Sequence, residues 1–228
     1  QAGAKKVLLT VPPKDEIDAT IVLGVNDETL NHDSKLISNA SCTTNCLAPV
    51  AKIIDEKFGI VHGYMTTIHS YTGDQKVLDT YHSDLRRARG AALSMIPAST
   101  GAAKAVGLVM PHLSGKLDGT AIRVPTPNVS LIDFKFVTNK KISKESINKA
   151  MVAASKSKKL KGILNVNSDP LVSADFNHDS ASSTFDLTQT QVIDESFGRV
   201  LSWYDNEWGF SNRMCDTAVK MNNTKKND

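Results

Sequence analysis

The sequence predicts an α+β fold, a mostly antiparallel sheet with helices set to one side. Three observations carry that prediction. Apolar segments of strand length succeed one another directly, at 119–124 and 129–138 with only Pro125-Thr126-Pro127 between them, and again at 184–193 and 198–203. Apolar residues recur at helical spacing through Leu47, Val50, Ala51, Ile53 and Ile54. The mix of 40% hydrophobic and 22% charged residues over 228 positions is that of a globular chain able to bury a core.

Taken in order, Lys6–Thr10, Ala19–Asn26 and Lys35–Asn39 read as short strands, apolar without alternation, as in a parallel sheet covered on both faces. Three such strands without helices are too few for a sheet of their own and read as the tail of something larger. A helix is expected from Cys42 to Phe58, stopped by Gly59. Ile60–Ser70 reads as a strand, and Tyr71–Leu93, with the basic cluster Arg86-Arg87-Ala88-Arg89, as a long ordered loop. Small residues from Gly101 to Met110 predict a helix. Strands follow at 119–124 and 129–138. Ser143 caps a helix to Ser157, with Glu145 in its favourable first turn. Two further strands, 184–193 and 198–203, precede a last helix from Glu207 to Asn222.

The formal charge is only +3, and the lysines pool locally, so nucleic acid is not an expected partner. No apolar run reaches the roughly 18–20 residues of a membrane helix, so no membrane partner is expected either. Three cysteines, an odd number, argue against a disulfide scaffold and for a reducing, cytoplasmic setting.

Two residues draw attention as chemistry. Cys42 sits where a strand gives way to a helix, and unpaired N–H groups there favour thiolate over thiol. Its pKa is therefore expected to be lowered, while Cys46, one turn further in, is expected to be buried and inert. A metal site at this pair would need more ligands than the nearby residues offer. His69 ends the next strand and could either be structural or shuttle protons for Cys42. Ser41 and Thr43 beside the cysteine, and Ser99-Thr100-Gly101 at a second helix start, are either N-caps or anion sites. Arg123 interrupts an apolar strand and needs a carboxylate or an anionic ligand. Thr72, Asp74 and Arg87 add polar groups from the loop.

The segment Ser38-Asn39-Ala40-Ser41-Cys42-Thr43-Thr44-Asn45-Cys46-Leu47-Ala48-Pro49 closely resembles the active-site signature of the glyceraldehyde-3-phosphate dehydrogenase family. Thr66–Thr72, Asp84–Arg89 with Ser94–Val106, Arg123–Pro127 and Trp203–Gly209 resemble four more family segments, in family order. The resemblance implies that Cys42 attacks the aldehyde of glyceraldehyde 3-phosphate and that His69 serves as its base. Hydride would leave for NAD, and inorganic phosphate would cleave the thioester. By the family pattern Thr72, Asp74 and Arg123, with Arg87 nearby, resemble the site for the substrate's phosphate. Ser41, Thr43, Thr100 and Gly101 resemble the site for the attacking one. Asn206 resembles the residue that holds the nicotinamide carboxamide, and Thr10 lies in a segment near that ring. A homotetramer is implied for the full-length protein.

Two features depart from the pattern. No G-x-G-x-x-G occurs, and Phe210 stands where many members carry Tyr. The expectation is therefore a catalytic-domain fragment. Residues 1–41 would be the last strands of a Rossmann-type dinucleotide-binding domain, 42–205 the catalytic domain, and 206–228 a helix that packs on the former. Alternative readings are a thiol hydrolase, a binding or regulatory module without turnover, and erythrose 4-phosphate dehydrogenase.

Overall fold

The structure is a computed structural model, and it describes residues 3–224. Two sheets organise these residues. The smaller holds β1 (Val7–Leu9), β2 (Ala19–Thr20) and β3 (Leu36–Ser38), all parallel, with β3 in the centre. The three strands thus do form a sheet of their own. The expected strand Ala19–Asn26 stops at Thr20 because Asn26 folds back on it: its amide donates to Thr20 O (2.8 Å) and accepts from Val22 N (2.9 Å). A buried side chain replaces a neighbouring strand, so Val22 and Val25 lie in a turn although they are apolar and buried.

The larger sheet follows α1 (Cys42–Phe58). It holds β4 (Ile60–Ser70), β5 (Ile96–Ser99), β6 (Leu117–Val124), β7 (Ser130–Thr138), β8 (Leu164–Asn167), β9 (Ser183–Asp186), β10 (Gln191–Ile193) and β11 (Phe197–Tyr204). The order is β5-β6-β4-β7-β11-β9-β8, with β10 beside β11. Its pairs are antiparallel except β4–β6 and β8–β9. The α+β reading holds. Helices α2 (Ala102–Val109), α3 (Lys144–Ser155) and α4 (Trp208–Asn223) are the other α-helices of the described residues.

Differences from the expected elements are local. β5 and β8 are four residues long and were not expected as strands. The single strand expected over 184–193 is two, broken where the Asp186 side chain accepts from Thr188 N and turns the chain. Gly59 ends α1 at φ 72°, a conformation costly for any other residue, and its N–H closes on Asp55 O. The alternation of β7, buried at Ser130, Ile132, Phe134, Phe136 and Thr138, turns one face of the sheet toward α1. Leu47, Val50, Ile54, Met65, Phe134, Phe136 and Val200 form the main core there. This packing fixes the start of α1 over the ends of β4 and β6.

Candidate active site

The turn that delivers Cys42 is held at every residue. β3 ends at Ser38, whose hydroxyl accepts from Ala40 N (3.0 Å). Ala40 lies in the left-handed region at φ 57°, a conformation that costs a non-glycine residue of order 1 kcal/mol and that clusters at functional sites. Ser41 is extended and caps α1 by accepting from Thr44 N at 3.1 Å. Asn45 donates to both Asn39 O (2.8 Å) and Ser41 O (3.0 Å), closing the turn from inside the helix. Cys42 is the first residue of the helix and is partly exposed.

His69 comes from β4 and is 3% exposed. Its Nε2 lies 3.6 Å from Cys42 Sγ, so strand and helix start bring the expected pair together. Nδ1 lies 2.7 Å from Ser70 O and 2.8 Å from Arg123 Nη1, and that same nitrogen of Arg123 donates to Ser70 O at 2.9 Å. We assign the proton to Nδ1, donated to Ser70 O, which leaves the Nε2 lone pair facing the thiol; this tautomer sets the Arg123 donor against Nδ1–H, a contact that opposes a second proton on the ring. The juxtaposition of His69 and Arg123 is built into the sheet, since the two are direct partners in the parallel β4–β6 register.

The acid–base balance differs from expectation in one respect. Burial pushes the Cys42 thiol pKa up, against the lowering effects of the Thr43 hydroxyl and N–H and of Arg123. Burial and then Arg123 push His69 down to about 4. The expectation of a lowered Cys42 pKa is therefore corrected. A helix start contributes at most about 2 kcal/mol of field, and here the loss of water outweighs it. Burial thus favours the thiol over the thiolate at Cys42 and the neutral ring at His69. Cys46 is fully buried beside Ser183 Oγ (3.4 Å), its pKa pushed up to about 12 by burial.

The expected anion-site residues fall into two groups. Thr44 Oγ1 donates to Ala102 O (3.2 Å), which ties the start of α1 to that of α2. Ser41, Thr43, Thr100 and Gly101 therefore lie at two adjoining helix starts. Thr100 Oγ1 accepts from Ala102 N (3.2 Å), and Gly101 is the N-cap of α2. The hydroxyl protons of Ser41 and Thr43 are already engaged, with Thr44 Oγ1 (2.8 Å) and Tyr204 Oη (2.8 Å). The donors left for an anion are first-turn N–H groups. In the second group Arg87 pairs with Asp74 and reaches Ser99 O (3.4 Å), and Thr72 donates to Gln75 Oε1 through both its N–H (2.9 Å) and its hydroxyl (3.1 Å). The charges of Arg87 and Asp74 act on Arg123, whose Nε is buried without a partner.

Asn206 is buried at the far side of Ser70. Its Oδ1 accepts from Ser70 Oγ (2.7 Å) and Ser130 Oγ (2.8 Å), and its Nδ2 donates to Glu207 Oε1 (3.3 Å). One amide hydrogen is thereby left for a carbonyl such as that of a carboxamide. Thr10 is exposed at the carboxyl end of β1, the same end from which β3 runs on to Cys42. Sequence reasoning missed Tyr204 and Asn45, both buried in the site; their partners lie too far along the chain, or serve the turn itself, to show as a motif. Among the described residues no cluster of three His, Cys, Asp or Glu could hold a metal ion, and no helix is long and apolar enough to cross a membrane.

Residues 41–206 match the family described as glyceraldehyde 3-phosphate dehydrogenase, C-terminal domain. Similar proteins include the glyceraldehyde-3-phosphate dehydrogenase of Xanthobacter flavus, 64% identical over 96% of this chain and 65% of that protein. That of Zymomonas mobilis is 57% identical over 98% of this chain and 66% of its own length. A chloroplastic relative from Arabidopsis thaliana is 55% identical over 99% and 57%. The chain thus spans just under two thirds of the length of these bacterial relatives.

Proposed function

This chain belongs to the glyceraldehyde-3-phosphate dehydrogenase family, and we propose that it carries the thiol chemistry of an NAD-dependent, phosphorylating aldehyde dehydrogenase acting on glyceraldehyde 3-phosphate. The observation that carries the proposal is the 3.6 Å approach of Cys42 Sγ to His69 Nε2, flanked by two groups of anion-binding candidates. A reaction that joins a sugar phosphate to inorganic phosphate needs two such groups.

In this reading His69 Nε2 takes the thiol proton as Cys42 Sγ bonds to the aldehyde carbon. The proton then passes to the aldehyde oxygen, giving a thiohemiacetal on Cys42. When bound, the nicotinamide of NAD supplies the hydride acceptor. His69, neutral over the physiological range, takes the hydroxyl proton back as the carbon is oxidised, and Cys42 is left as a thioester. Arg123 and Arg87 hold the phosphate of the substrate, with Thr72 as a further donor and Asp74 orienting Arg87. The helix starts at Cys42 and Ala102 hold inorganic phosphate, whose oxygen attacks the thioester carbon and releases the sulfur. Asn206, through its remaining amide hydrogen, and Thr10, at the strand end beside Cys42, suit the nicotinamide side.

We extend the reading to a homotetramer for the full-length protein, supported by family membership and by Val77, Leu78 and Tyr81, apolar and exposed on the long loop, and to a reducing, cytoplasmic setting, supported by three free cysteines. The test needs no cofactor. Incubation of this chain with 1,3-bisphosphoglycerate should transfer the 3-phosphoglyceroyl group to Cys42 and release phosphate, seen as a mass gain lost in Cys42→Ser. Absence of acylation in the unmodified chain would overturn the proposal. Comparison with the corresponding erythronate acyl phosphate tests the choice of sugar.

A further inference from the structure

Two serine hydroxyls converge on one end of the Asn206 amide. Ser70 Oγ lies 2.7 Å and Ser130 Oγ 2.8 Å from Asn206 Oδ1, and Ser130 Oγ also accepts from Ser70 N at 3.0 Å. All three side chains are buried, Ser70 and Ser130 at 0% and 2% exposed and Asn206 at 5%. The meeting is built into the sheet. β4 lies between β6 and β7, so the chain crosses the end of β4 on its way from one to the other, and Ser70 ends β4 while Ser130 begins β7. Val129, just before Ser130, is buried and holds φ 68°, a conformation costly for a β-branched residue that persists only where its surroundings fix it.

An amide turned end for end keeps its shape, so hydrogen bonds alone choose its sense. As placed, Oδ1 accepts both serine protons. Reversed, two N–H donors would face the serines. Ser130 Oγ, already accepting from Ser70 N, would fill its second lone pair, and its proton would turn to Ser70 Oγ at 3.2 Å. The Ser70 proton would then be buried without an acceptor, which is costly. Reversal would also set Oδ1 against Glu207 Oε1, now an acceptor for Nδ2 at 3.3 Å. We propose that Ser70 and Ser130 are positioning residues that hold the Asn206 amide oxygen inward and NH2 outward, so that it presents a donor, not an acceptor, to the cofactor side. The same Ser70 accepts from His69 Nδ1 (2.7 Å) and Arg123 Nη1 (2.9 Å) through its carbonyl. One residue at the end of β4 thus orients both the base and the amide.

The proposal rests on the nicotinamide-side role given to Asn206 above, but it is read without cofactor or thiol chemistry, so the two can fail separately. The experiment is nuclear Overhauser spectroscopy on this chain with nitrogen-labelled asparagine, the Asn206 side-chain signal being identified by its loss in Asn206→Asp. In the unmodified chain the Asn206 amide protons should form one set of signals without strong contacts to the Ser70 and Ser130 methylene protons. Glu207→Gln replaces the exposed carboxylate by a group that both donates and accepts, and the pattern should stay, because the buried serines suffice. Adding Ser70→Ala and Ser130→Ala in that background should lose the single sense, seen as new contacts from the amide protons to the introduced methyl groups. Strong contacts to the serines in the unmodified chain overturn the proposal. So does reversal in Glu207→Gln, or an unchanged single sense once both hydroxyls are gone. If the combined variant does not fold, the unmodified chain and Glu207→Gln carry the test.

Discussion

His69 is placed where a base is least able to hold a proton at rest. Its pKa of about 4 lies below the ordinary histidine value near 6.5, first because of burial and then because of Arg123. Between those two values the unfolded chain binds a proton that the folded chain refuses. Stability contributed by this group is therefore full above about pH 6.5 and is lost as pH falls toward 4, by on the order of 3 kcal/mol. Urea unfolding at pH 4.5 and 7 should show the loss, and His69→Gln should remove most of it; an unchanged pH slope in that variant would assign the effect to another group. Arg123→Gln should raise the imidazole pKa, read by NMR, without restoring 6.5, because burial remains. The identity of Cys42 and His69 as a pair was legible from a helix start, a strand end and a family signature. Their acid strengths were not, because dehydration depends on what β6 and β11 bring over them from distant parts of the chain.

At the scale of the element, α1 shows what a short sequence can specify by itself. Ser41 caps it, Gly59 ends it, and both limits were readable because capping chemistry is local. The cap here also aims the nucleophile. Ser41 Oγ receives Thr44 N and gives its proton to Thr44 Oγ1, which in turn holds Ala102 O on α2. Ser41→Ala should therefore cost about 1 kcal/mol in thermal or urea unfolding, the usual value of an N-cap. It should also slow acylation of Cys42 by 1,3-bisphosphoglycerate, because the two helix starts lose their link. Lost stability with unchanged acylation would reduce the serine to a plain cap. The elements that sequence did not disclose lack such local signals. β5 and β8 are four residues each and exist because β6 and β9 offer them an edge. The Val22–Asn26 turn is apolar enough for a strand, and only the Asn26 side chain makes it a turn.

Across the whole molecule, the parallel sheet of β1–β3 and the larger mixed sheet are joined by α4. The smaller sheet has a slight core of its own, Ile21, Leu23, Leu30, Ile37 and Met221, and the last of these comes from α4. Ile163 packs against both this cluster and the main core. The join passes through Asn39, which donates its N–H to Leu9 O at the end of β1, accepts from Asn45 on α1, and accepts from Thr217 Oγ1 of α4 at 3.0 Å. Asn39 and Thr217 are fully buried, and the Asn39 amide nitrogen has no partner of its own. The Thr217 hydroxyl is thus what satisfies this side chain, three residues before the nucleophile. Thr217→Val keeps the shape and removes the donor, leaving a buried oxygen unpaired, and should cost about 1–3 kcal/mol. Because Ile163 packs against both cores and Met221 ties α4 to the smaller one, the loss should appear in one transition, coincident by tryptophan fluorescence from Trp203 and Trp208 and by far-ultraviolet circular dichroism. Two separated transitions, or no loss of stability, would show that the sheets stand independently and that α4 does not bind the strand leading into Cys42 to the rest of the chain.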